Sequence, residues 1–256
     1  MNSKLEAIIE ATHDRVASAK RARPESSMEP TGWRRDFEGA LRLDGISLIA
    51  EFKRASPSAG FIAQDAHPAA VAMQYEEGGA RALSILTEPY FFKGDLAHLT
   101  LARGACSLPV LRKDFIIDPY QVPESASVGA DAVLLIVAAV EVSLLHDLFD
   151  SARESGLDAL VEIHDERELE TALGLEPAII GINQRNLHTF QVDTSLAARL
   201  RELVPAAVVV VAESGIKLSS DLGVLEDAGI DAVLVGETLM RVPDRLAAVR
   251  SLIGDR

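Results

Sequence analysis

GADAVLLI (129–136), GLDALVEI (156–163) and GIDAVLVG (229–236) repeat one pattern: a glycine, one further residue, Asp-Ala, then an apolar run, with a looser copy at GGARALSI (78–85). A glycine that ends a helix, followed at once by a short apolar strand, is the junction of a repeated βα unit. Working outward from these copies, eight strands are read: ISLIAEFK (46–53), ALSILT (82–87), PVLRKDF (109–115), AVLLIVA (132–138), ALVEI (159–163), AIIGIN (178–183), AVVVVAES (207–214) and AVLVG (232–236). Val-, Ile- and Leu-rich runs without strict alternation predict parallel strands covered by helices on their outer face. The amphipathic stretches between them, such as EVSLLHDLFDSARESG and SSDLGVLEDAG, predict those helices. Eight regular units predict the α/β class and a single (β/α)8 TIM barrel. A doubly wound open sheet would carry G-x-G-x-x-G after its first strand, and that fingerprint is missing.

The 256 residues, 48% of them apolar, are expected to form one domain, 1–256, with 1–45 as an N-terminal helical extension. Within that extension Leu5, Ile8, Ile9, Thr12 and Val16 recur at helical spacing, which predicts a docked terminal helix. A formal charge of −14 repels nucleic acid and anionic membrane as partners. An anionic small molecule could bind only where a few Lys and Arg converge on one cleft. Cys106 is the sole cysteine, which rules out an intrachain disulfide and multi-cysteine zinc sites and fits a cytoplasmic location. The first residues lack the apolar core of a signal peptide. The longest apolar run, 132–140, falls far short of the roughly 18 residues of a membrane span.

Active sites of such barrels lie at the carboxyl ends of the strands, so polar residues that interrupt an apolar run there are the first candidates. Glu51 and Lys53 end the first strand, and Lys113 and Asp114 the third. Glu162 ends the fifth, Asn183 and Arg185 follow the sixth, and Glu213 with Ser214 ends the seventh. Strand side chains alternate, so Glu51 and Lys53 share a face, and an inward Leu111 and Leu160 would turn Lys113 and Glu162 inward as well. A structural ion-pair layer could account for any one of these residues. The whole set, buried without chemistry to perform, would carry a large desolvation cost. ESGI (213–216) and VGET (235–238) follow the last two strands, where barrels often bind phosphate through backbone N–H groups, and Gly215 and Gly236 permit close approach. The long loop RASPSAGFIAQDAHP (54–68) reads as a binding loop or lid, with Ser56 either a phosphate contact or the serine of a turn.

IAEFKRASPSAG (49–60), LTEPYFFKGD (86–95), VLRKDFIIDPYQV (110–122), ALVEIHDERELETAL (159–173), IIGINQRNLHTFQVD (179–193), VVAESGI (210–216) and VLVGETLM (233–240) together resemble the indole-3-glycerol phosphate synthase family along nearly the whole chain. The resemblance implies a carboxy-lyase of tryptophan biosynthesis. It would close, decarboxylate and dehydrate 1-(2-carboxyphenylamino)-1-deoxyribulose 5-phosphate to indole-3-glycerol phosphate, CO2 and water, with no cofactor and no metal. It implies Lys113 as general acid, Glu162 as general base, Lys53 as substrate binder and acid for dehydration, and Glu51 as the group tuning Lys53. Asn183, Arg185 and Glu213 would orient substrate and lysines. Ser56, Ser214, Gly215, Gly236 and the backbone of Glu237 would hold phosphate, and Phe92, Phe115, Leu134, Ile136, Leu187 and Pro57 would wall the aryl ring. An ammonium near other cations has a lowered pKa and is a better acid, while an adjacent carboxylate pulls it back. A cytoplasmic monomer is the family-level expectation, with room for weak association with other tryptophan-pathway enzymes. With the chain ending at Arg256, no fused isomerase of the preceding step is expected.

Three positions depart from the family pattern. Ala59 stands where relatives often carry a loop lysine, Asp95 where serine is common, and Glu237 where some members have serine. A carboxylate aimed at phosphate would repel it, so Glu237 is expected to point away. The competing readings are a Schiff-base lyase, an isomerase acting on a related phosphosugar, and a noncatalytic scaffold on the same fold. The second lysine, the strand-five glutamate and the NQRNL run speak against the first. The EFKRASPS and KDF pair speaks against the second, and the complete set of acid–base residues against the third.

Overall fold

A computed structural model describes residues 4–186, 189 and 191–254. Eight strands close into a barrel: β1 (Ser47–Phe52), β2 (Ala82–Leu86), β3 (Val110–Lys113), β4 (Ala132–Ile136), β5 (Asp158–Ile163), β6 (Ile179–Asn183), β7 (Val209–Glu213) and β8 (Ala232–Val235). Each pairs in parallel with its neighbours in sequence, and β8 closes on β1 with Ser47 opposite Ala232 and Ala50 opposite Val235. The strands match the eight read from sequence. β3 stops at Lys113, short of the expected 115, because the Asp114 side chain accepts the Phe115 N–H at 2.9 Å and turns the chain out of the ladder.

Alternation divides the apolar residues into two layers. Leu48, Ala50 and Phe52 face outward with Val71, Tyr75 and Leu99 from the surrounding helices. Ile49, Leu111, Leu134, Leu160, Ile179, Val209 and Leu234 face inward and fill the barrel.

The repeated phrase has a physical purpose. Gly129, Gly156 and Gly229 carry φ of 91°, 68° and 80°, the left-handed region in which a side chain is strained, and there each chain leaves a helix for a strand. At two of these junctions the aspartate two residues on binds the strand next door, whereas Asp158 accepts the Glu38 N–H of the N-terminal segment at 3.1 Å. Asp131 Oδ2 accepts the Val110 N–H at 2.9 Å and Asp231 Oδ2 accepts the Val210 N–H at 2.8 Å. These carboxylates satisfy backbone donors at the amino-terminal end of β3 and β7.

The N-terminal segment works at both ends of the barrel. Helix α1 (Lys4–Ala22) lies across the carboxyl-terminal mouth, where Arg15 grips Asp114 with two bonds of 2.8 Å and Lys20 reaches Asp118 at 2.7 Å. The short α2 (Phe37–Leu41) plugs the opposite mouth, with Phe37 and Leu41 buried in the inner layer. The outer ring includes α3 (Pro68–Gly78), α4 (Leu96–Ala105) and α5 (Glu166–Leu173). Asp95, the departure noted above, caps α4 by accepting the Ala97 N–H at 2.8 Å, a task that serine performs equally well. No helix among the described residues is long and apolar enough to cross a membrane.

Candidate active site

The carboxyl-terminal mouth holds a cleft of about 1110 Å³ into which β1, β3, β4, β5, β6, β7 and β8 all contribute side chains. Lys113 Nζ lies at its floor, 2.7 Å from Glu162 Oε2 and 2.5 Å from Glu213 Oε2. Lys53 Nζ pairs with Glu51 Oε1 at 2.7 Å. Asn183 Nδ2 donates to Glu162 Oε1 at 3.2 Å, while its Oδ1 accepts from Ser214 Oγ at 2.9 Å and from the Arg185 N–H at 3.1 Å. Two glycines make room for these carboxylates. A Cβ at Gly181 would sit 2.5 Å from Glu213 Oε1, and one at Gly236 would collide with the Glu51 carboxylate.

The electrostatics differ from the sequence expectation in one respect. Lys113 has no cation as its nearest charged neighbour. Burial disfavours its ammonium, but Glu162, Glu213 and Glu51 outweigh that and hold its pKa well above the ordinary lysine value. The two glutamates are pushed apart. Burial opposes ionisation of both; Lys113 and His164 nonetheless hold Glu162 well below the usual carboxylate range, while Glu213 is raised by burial and by the charge of Glu162. Glu213 Oε1 is buried without a hydrogen-bond partner, the place where a carboxyl proton would sit. Glu162 is thus the more readily ionised of the two carboxyl groups, and Glu213 the one that more readily takes a proton.

The phosphate candidates line one side of the same cleft: Ser56, Ser214, Gly215, Gly236 and Glu237, with Lys53 and Arg185 beside them. Ser214 and Gly215 have φ of 68° and 84°, and strain of this kind at a non-glycine residue is common at ligand sites. The Glu237 side chain is held by Arg241, which donates to its Oε1 at 2.6 and 3.0 Å, and both residues border the cleft. The Ser56 Oγ accepts the Ala59 N–H at 3.1 Å within the turn, and the residue borders the cleft.

Phe92, Phe115, Leu134, Ile136 and Pro57 line the apolar side, with the two phenyl rings tilted by 39° at a centroid distance of 6.3 Å. Phe92 is presented by a loop wound around buried Glu88, whose carboxylate accepts the N–H groups of Tyr90, Phe91 and Phe92 at 2.7–2.9 Å. Leu187 lies outside the described residues. Sequence reasoning missed Lys4, Leu5 and Ile8 of α1, which border the cleft, and His164 beside Glu162. The helical stripe containing Leu5 and Ile8 was legible, but what it faced was not.

A closed parallel barrel whose strand ends present paired amines and carboxylates to one cleft is a (β/α)8-barrel enzyme built for acid–base chemistry. The family model described as Indole-3-glycerol phosphate synthase matches residues 5–252. An indole-3-glycerol phosphate synthase of Aromatoleum aromaticum is 46% identical over 99% of this chain and 100% of that protein. Indole-3-glycerol phosphate synthase 2 of Streptomyces coelicolor is 49% identical over 86% of this chain and 85% of its own length. The chain belongs to the indole-3-glycerol phosphate synthase family and is a carboxy-lyase of tryptophan biosynthesis. Among solved structures, KGPDC from Streptococcus mutans superposes with a TM-score of 0.64 at 10% identity, over 82% of this chain and 96% of that one, a likeness of fold alone.

Proposed function

We propose that the cleft converts 1-(2-carboxyphenylamino)-1-deoxyribulose 5-phosphate to indole-3-glycerol phosphate, CO2 and water, with Lys113 as general acid and Glu162 as general base. The observation that carries this reading is the Lys113 ammonium held at 2.7 Å from Glu162 and 2.5 Å from Glu213 on the floor of an otherwise half-apolar cleft.

The substrate phosphate lies against the backbone of Gly215, Gly236 and Glu237 with Ser56 and Ser214, and the aryl ring packs on Phe92, Phe115, Leu134, Ile136 and Pro57, with Leu187 assigned by resemblance. The aryl carbon bearing the carboxylate attacks the ketose carbonyl as Lys113 gives a proton to the carbonyl oxygen. Loss of CO2 returns its electron pair to the ring. The nitrogen lone pair then expels the new hydroxyl, which leaves as water with a proton from Lys53, and Glu162 takes the proton that the five-membered ring releases. Two protons are given and one is taken, which balances the carboxylate lost as neutral CO2. Glu51 tunes Lys53, and Asn183, Arg185 and Glu213 keep the reacting groups in register.

The strong hold of three carboxylates on Lys113 also solves a difficulty. A lysine with a raised pKa is a poor acid, but a proton taken up by Glu213 before ring closure weakens that hold and makes Lys113 more willing to donate. The same hold counts against a Schiff-base lyase, whose lysine must be neutral to attack a carbonyl.

The test is to mix purified protein with this substrate, without metal or nucleotide, and follow indole fluorescence; binding without indole formation would overturn the reading. Ser56→Ala is expected to raise KM more than it lowers kcat, because a phosphate contact acts equally in ground and transition states. The reverse split in steady-state kinetics would assign the loop a catalytic task. We further propose that residues 1–256 act as one unit, with 1–45 as its extension, and that the protein is a cytoplasmic monomer.

A further inference from the structure

His164, which no reading above uses, sits between two glutamates. It follows β5 directly, and its side chain is only 10% exposed, against 3% for Glu162 and 19% for Glu168. Nδ1 lies 3.0 Å from Glu168 Oε2, and the same oxygen accepts the His164 backbone N–H at 2.8 Å. Glu168 is itself fixed in the first turn of α5, where Asp165 Oδ1 accepts its N–H at 2.8 Å. On the other side of the ring, Nε2 lies 3.3 Å from Glu162 Oε1 as a charge contact outside hydrogen-bond alignment.

Glu162 Oε2 faces Lys113, and Oε1 faces Asn183 and His164. We propose that His164 is a positioning residue for the ring-closing chemistry: anchored by Glu168, it holds Oε1 of Glu162 so that Oε2 alone stays directed at Lys113 and the substrate. The inference rests on Glu162 being the base.

The charge balance agrees with the geometry. Burial disfavours the imidazolium, but the adjacent Glu162 and Glu168 carboxylates more than compensate, and the His164 pKa is pushed up to about 10. Asp165, Glu166 and the ion pair Asp193–Arg199 border the ring's outer side, and Lys113 stands beyond Glu162. A cation against a buried carboxylate favours its ionised form, so removing His164 must raise the pKa of Glu162 and leave Oε1 with Asn183 as its remaining donor.

The experiment compares His164→Gln, Glu168→Gln and Glu162→Gln by steady-state kinetics across pH, with nitrogen NMR of the imidazole. His164→Gln is expected to lower kcat about 10- to 100-fold with KM little changed, and to move the acid limb of the kcat profile up by about one pH unit. Glu168→Gln keeps the ring and removes its anchor, so it should shift the limb the same way by less and let the imidazole titrate below pH 9, roughly. A drop in Tm with an unmoved limb would mean a purely structural histidine and overturn the proposal. An inactive Glu162→Gln beside unchanged His164→Gln and Glu168→Gln would refute the positioning role alone. An active Glu162→Gln would refute the base assignment beneath it.

Discussion

Lys113→Ala is expected to lower kcat by about a thousandfold or more, in line with the loss of a positioned general acid, while the protein still binds the substrate. The alanine removes the ammonium in contact with Glu162 and Glu213, whose nearest oxygens stand 2.7 and 2.5 Å from Nζ. Glu162 then loses the largest influence keeping it ionised, so the variant is deficient in acid and base together. Lys113→Arg separates charge from proton donation. A guanidinium keeps the positive charge but cannot give up a proton in the working range, so it should bind substrate and still form almost no indole. Fluorescence turnover with substrate titration checks both variants. Near-normal kcat in either would remove Lys113 as the essential acid, and recovery in arginine alone would make its role electrostatic.

The polar floor of the cleft was legible because strand periodicity is strict. Ile49 faces inward, so Glu51 must; Leu111 and Leu160 do the same for Lys113 and Glu162. The ends of apolar runs marked where water begins, and in a closed parallel barrel those ends converge. Beyond the last strand residue, the period no longer fixes direction. His164 turns toward Glu162 only because Glu168, a helical turn further on, holds its ring, and nothing in EIHDERE announces that contact. The electrostatics of Lys113 were illegible for a related reason: a list of strand-end residues gives their signs but not which pairs touch. Glu162 and Glu213 both touch Lys113, whereas Glu51 is paired with Lys53. The bottom plug was hidden by its length. Phe37 and Leu41 lie on a five-residue helix too short to show a period.

Asp114 was read as a strand-end neighbour of Lys113, yet its bonds carry the second large expectation. It accepts two bonds from Arg15 and one each from Arg112 at 3.0 Å, Thr87 at 2.7 Å and the Phe115 N–H. Arg112 is fully buried, and Glu124 is its other carboxylate partner, at 2.9 Å. Asp114→Ala therefore leaves two guanidiniums facing one carboxylate inside the protein, and an arginine cannot escape by losing its proton. Breaking a buried pair in this way costs about 3–5 kcal/mol, so thermal unfolding should show Tm lower by roughly 6 °C or more. Arg15→Ala should cost less, since that side chain is 17% exposed and its loss leaves Asp114 bound to Arg112. Acid unfolding of the unmodified chain offers an independent check. Burial raises the Asp114 carboxyl, but Arg112 and Arg15 outweigh it and hold its pKa at about 2. A carboxyl depressed on folding contributes stability that is complete above its unfolded pKa of about 3.9 and is lost as pH falls toward the folded value, here about 2–3 kcal/mol. That contribution should vanish from the stability–pH curve of Asp114→Ala between roughly pH 4 and 2. An unchanged curve, or a Tm within a degree or so of wild type, would mean that Arg15 and Arg112 find other partners and that α1 is held to the mouth by its apolar face instead.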